Sequence, residues 1–112
     1  MPDVSKEEIG RRMFQLHKDK SVEKVIQKIK DNIGPDWKSF SEDEVRLLER
    51  LLGTAWTHFE QSSWEKIPFA SMKKEDVRRI ITVGKCIDIE KTPQGTVIEK
   101  LRDVLMTAGC PV

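Results

Sequence analysis

Long apolar runs are missing from this 112-residue chain, and with them the roughly 20 consecutive apolar residues that a helix needs to cross a bilayer. The opening stretch from Met1 to Glu8 is acidic and has no apolar centre, which argues against a secretory leader. The expectation is a soluble, cytoplasmic protein with no membrane partner. Cysteine is scarce: Cys86 and Cys110 are too few for a disulfide scaffold and suit a reducing compartment. Histidine is equally scarce. His17, His58, Cys86 and Cys110 include no close pair of the Cys-x-x-Cys or His-x-x-x-His kind, by which one turn presents two metal donors, so no metal or other cofactor is expected. Nucleophile-elbow, phosphate-loop and zinc-protease motifs are absent as well. The many carboxylates fall at helix starts and on solvent faces, so an enzyme is not the leading reading.

An excess of charge of one sign is lacking too. The formal net charge is +1, with nine basic against seven acidic residues in 1–40, three against six in 41–70 and eight against six in 71–112. That balance is no polyanion-binding signature. The length gives a single domain, 1–112, large enough for one hydrophobic core.

What the chain does have is helical periodicity. From Ser41 to Gln61, Val45, Leu47, Leu48, Leu51, Leu52, Ala55, Trp56 and Phe59 fill an arc too wide for one neighbour to cover, so this segment reads as a central core helix. Ser41 with Glu44 forms a capping box at its start. Gly53 inside it implies either the close approach of a neighbouring backbone, which is favoured, or a bend. Upstream, Ser5 with Glu8 caps a first helix to about Asp19 carrying the stripe Ile9, Met13 and Leu16. A second helix begins after Ser21, carries Val22, Val25, Ile26, Ile29 and Ile33, and stops at Gly34-Pro35. Downstream, 62–71 reads as an irregular, partly buried connection with one short helical turn. Ser71 caps a helix bearing Val77, Ile80 and Ile81, and 82–89 reads as a loop or an extension of that helix. A last helix starts near Thr92-Pro93 or Thr96, buries Val97, Ile98, Leu101, Val104, Leu105 and Ala108, and ends at Gly109 before Pro111. The fold class is all-α: a compact bundle of four to six amphipathic helices around a central helix at about 42–61.

Ile33-Gly34-Pro35-Asp36-Trp37-Lys38-Ser39-Phe40 resembles the start of the second helix in death-fold adaptor domains, where a tryptophan follows an acidic residue. The resemblance covers eight residues. Pro35 and the cap at Ser41 depart from what that family continues as helix, and no assignment is taken from it.

Three functional classes follow. The leading one is a protein-binding module, a regulator or a subunit of a larger assembly, acting through helix faces. Its candidate contacts are the apolar residues left outside the stripes: Phe14, Trp37, Trp64 and Met106. Another protein is the expected partner, and self-association is left open. The second class is nucleic-acid binding through Lys24 and Lys28 on one helix and Lys74 and Arg78 on another; ordinary solvated helix faces are the plainer reading of these residues. The third is thiol chemistry at Cys86 or Cys110, neither of which has a resolving neighbour in sequence.

Overall fold

The Ser41 hydroxyl accepts from the Glu44 N–H at 3.2 Å, the Glu44 carboxylate accepts from the Ser41 N–H at 3.1 Å, and this reciprocal cap starts the helix on which the others pack. The computed structural model describes residues 5–108, so Cys110 and the expected stop at Gly109 and Pro111 lie outside the described residues. Within them run α1 (Lys6–Ile33), α2 (Glu42–His58), α3 (Gln61–Lys66), α4 (Lys74–Lys85) and α5 (Gln94–Thr107), with 3-10 segments at Gly34–Ser39 and Phe69–Ser71. The described residues include no strand, and the fold is the expected all-α bundle around α2.

Helix α2 packs on α1, α4 and α5, and α4 also packs on α5. Leu48, Leu51, Leu52 and Ala55 are fully buried between them, with Val45, Leu47, Trp56 and Phe59 partly buried at the edges. The wide arc read from the sequence is thus shared among three neighbours. Val77, Ile80 and Ile81 from α4, Val97, Leu101 and Leu105 from α5, and Met72 complete the interior.

Four local expectations are corrected. The first and second helices are one continuous 28-residue α1, capped by Ser5 and stopped by Gly34 at φ 65°. No proline or glycine lies near Lys20-Ser21 to break it. Continuity fixes phase. At about 100° per residue, Ile9, Met13 and Leu16 fall on roughly the opposite side of the helix from Val22, Val25 and Ile29, so the two stripes cannot both be buried. The second set is in the core; the first is 47%, 59% and 55% exposed. Helix α2 ends at His58 rather than Gln61, with Phe59 as its extended C-cap. Helix α4 is capped from Lys73 rather than Ser71: the Asp76 carboxylate accepts from the Lys73 N–H at 2.8 Å, and Ser71 belongs to the preceding 3-10 turn. Gly53 faces the flexible side chain of Lys18 rather than a backbone.

Helix α4 extends to Lys85 and then turns, and α5 takes the earlier of its two starts with Pro93 as N-cap, as expected; the connection after α2 is more regular than expected, since α3 and the 3-10 turn at Phe69–Ser71 occupy most of it. The Asn32 side-chain amide donates to the Met72 carbonyl and ties the end of α1 to the loop before α4.

The tightest approach at a helical glycine is at Gly84, and it is made by side chains. A Cβ there would overlap Leu51 Cδ1 and come within 3.3 Å of two atoms of Leu47, both on α2. Gly84→Ala is expected to destabilise the fold by about 1–3 kcal/mol through overpacking. Gly53→Ala meets the flexible end of the Lys18 side chain, its Cε at 3.2 Å and Nζ at 3.9 Å, and gains helix propensity. It should be neutral or stabilising by up to about 1 kcal/mol. Urea unfolding midpoints of the two variants check this difference in sign.

Candidate functional site

Between α1 and the segment that follows α2 lies an open groove of about 900 Å³. One wall is a row along α1, Phe14, His17, Ser21, Lys24 and Lys28, spaced three and four residues apart so that it keeps to one flank of the helix. Val25, from the core side of α1, reaches its floor. The other wall is Trp56, Thr57 and Phe59 at the end of α2, Trp64 and Glu65 of α3, and the turn from Ile67 to Ser71.

Each aromatic is placed by a local cause. Phe14 meets Trp56 tilted at 59° with ring centroids 5.2 Å apart, the geometry that aromatic pairs prefer. It remains 49% exposed on its other side. Trp64 is buried and packs on Phe69 at 4.9 Å. It supplies the stiff back of the second wall rather than a free contact. The Phe59 ring carries the Arg102 guanidinium of α5 at 5.9 Å. Groove chemistry is therefore apolar and aromatic inside and cationic along the α1 rim, with Lys24 and Lys28 against one carboxylate, Glu65, among the described residues that line it.

The candidate residues divide. Phe14, Trp64, Lys24 and Lys28, drawn from two different functional classes, come together in this groove. Trp37 and Met106 do not. Trp37 is half-buried in the turn before α2 and packs on Phe40 at 5.7 Å, and Met106 is exposed on α5. Lys74 and Arg78 lie on α4 outside the groove. The Arg78 guanidinium pairs with Glu44 and stacks over Phe40 at 4.5 Å, which makes it a structural clamp rather than a free cation. Cys86, at the C-cap of α4, is an exposed free thiol. His58 bonds the Gln94 side-chain oxygen at 2.8 Å, joining α2 to α5. Among the described residues no three His, Cys, Asp or Glu side chains converge as a metal site, and no helix is long and apolar enough to cross a membrane.

Periodicity did not reveal Trp56 and His17 as groove residues. The usable signal was the spacing 14, 17, 21, 24, 28, a single row that mixes aromatic, polar and basic side chains. A search for apolar stripes passes over it. Comparison with protein-family models, with curated proteins and with solved structures finds no match to this chain.

Glu44 gathers a polar cluster at the start of α2. It accepts from the Ser41 backbone N–H, from Lys85 at 3.0 Å and from Arg78, and these donors, led by the backbone one, hold its carboxyl down at about 2 against an ordinary 4.5. Because the folded value is the lower, the unfolded chain takes up the proton first as the solution is acidified. The stabilisation is full above about pH 4.5 and is lost as pH falls toward 2. Urea midpoints should show Glu44→Gln weaker than the parent at neutral pH, with the gap closing over that acid window. A gap independent of pH would contradict the assignment.

Proposed function

We propose that this protein is a protein-binding module and that its groove takes an apolar-and-acidic helical segment of a partner. The supporting observation is the union of exposed aromatic surface with a one-sided cationic rim in one groove along α1. From Phe14 to Lys28 the α1 wall rises about 21 Å, the length of roughly four helical turns. An amphipathic helix laid along it would set apolar residues against Phe14 and Trp56 and carboxylates against Lys24 and Lys28, the helix-in-groove mode of recognition. The rim charges would steer and orient the partner more than hold it; burial against the aromatic walls would supply most of the affinity. Engagement of Arg78 by Glu44 leaves the nucleic-acid reading with fewer free cations and favours the protein reading.

Selection of a displayed library of random 16-residue peptides on the full chain tests this. The enriched peptides are expected to carry net negative charge and apolar residues at helical spacing. The double variant Lys24→Glu/Lys28→Glu should bind them about tenfold or more weakly, the equivalent of roughly 1.4 kcal/mol. Phe14→Ser should also weaken them. Peptides that bind the charge-reversed variant equally well, or a selection that enriches nothing, would contradict the proposal. Labelled RNA or DNA that binds at low salt and displaces the peptides would favour the nucleic-acid reading instead.

A further inference from the structure

The first half of α1 has a second apolar surface that the groove does not use. Ile9, Met13 and Leu16 lie on the side of the helix turned away from the body and are each about half exposed. Their spacing of four and then three residues is that of a coiled-coil seam, and Lys20 continues it with an apolar stem. A seam this narrow differs from the broad apolar face of a helix that lies in a membrane surface. The residues beside it are complementary to themselves. Arg12 and Asp19 sit seven residues apart on one flank, so when two such helices run antiparallel, Arg12 of each copy faces Asp19 of the other. Gly10, with nothing near it, lies on the other flank and keeps the approach open.

We propose that this stripe pairs two copies of the chain as a short antiparallel coiled coil. The layers are Met13 against Leu16 and Ile9 against the stem of Lys20, each made twice about a two-fold axis. Arg12 gives up its exposed pair with Glu8, and Asp19 its hydrogen bond from Gln15, for contacts with the other copy. The pairing is sterically open. In this register residue 23 of each copy lies opposite Lys6 of the other, and α2 meets the paired segment on its inward side, at Phe14 and Lys18, so each body lies on the face turned away from the seam. Three apolar side chains from each copy bury less than a standard stable interface, which makes the dimer weak and concentration-dependent.

Sedimentation equilibrium of the full chain from about 10 µM to about 1 mM, the range of weak association, is expected to show the mass rising from one chain toward two. Met13→Glu changes an exposed residue, leaves the helical circular dichroism unchanged and should stay at the mass of one chain. Arg12→Asp should weaken association severalfold, and Arg12→Asp/Asp19→Arg should restore it. Orientation is read by oxidation in a Cys86→Ser/Cys110→Ser background. Mixed Met13→Cys and Leu16→Cys chains should cross-link to each other in preference to themselves. A mass of one chain at every concentration, or cross-links mainly between like chains, would overturn the proposal.

Discussion

The uninterrupted turn of the backbone from Lys6 to Ile33 is the constraint on which every surface of this protein depends. Helical phase, once set by the burial of Val22, Val25 and Ile29, dictates where each residue of the first half must point. It sends Phe14 and Lys18 toward α2, His17 and Lys24 to the rim of the groove, and Ile9, Met13 and Leu16 to the far side. A break at Lys20-Ser21 would free the first half to fold its apolar stripe onto the body, and both the groove wall and the outer seam would disappear.

That first half has little core of its own and still remains helical. A separate helix of about 15 residues is marginal in water, so propagation from the buried second half is the main support. Ser5 caps its start, and Glu8 with Arg12 and Gln15 with Asp19 bridge successive turns. Phe14 on Trp56 and Lys18 over Gly53 are its lateral holds on α2. Beneath it the body is fastened differently. Gly84 lets α4 close on Leu51, and Glu44 gathers Ser41, Arg78 and Lys85 so that the start of α2 is tied to α4.

Much of this was legible in the residues. The arc of α2, the stripes of α4 and α5 and the cap at Ser41 each follow from a local rule, and tertiary packing agrees with the rule. The reading failed where two local signals had to be combined. Ile9, Met13 and Leu16 form a good stripe, and so do Val22, Val25 and Ile29, but their difference in phase shows that one helix cannot bury both. Splitting the helix saved both stripes at the cost of a break for which the sequence has no residue. Phe14 leaves the first stripe and so looks like an outlier beside it, yet it is the member that shares the inward side. The cap at Ser71 failed because Asp76 reaches back to Lys73 and starts α4 two residues later. The groove was least visible, since its second wall comes from residues 56–71, whose placement depends on the turns after α2 rather than on periodicity.

Both proposals rest on one rod that presents different chemistry to different sides: apolar toward the core, aromatic and basic toward the groove, apolar again outward. The most direct test is the distance between spin labels at Arg11→Cys and Lys30→Cys, both exposed sites, in a chain whose native cysteines are serine and which is diluted with unlabelled chain to suppress contacts between copies. A continuous α1 predicts one narrow distribution near about 28 Å between the two backbone positions, from nineteen residues at 1.5 Å each. A broad distribution, or one centred well below about 20 Å as a fold-back at Lys20-Ser21 would give, would contradict it.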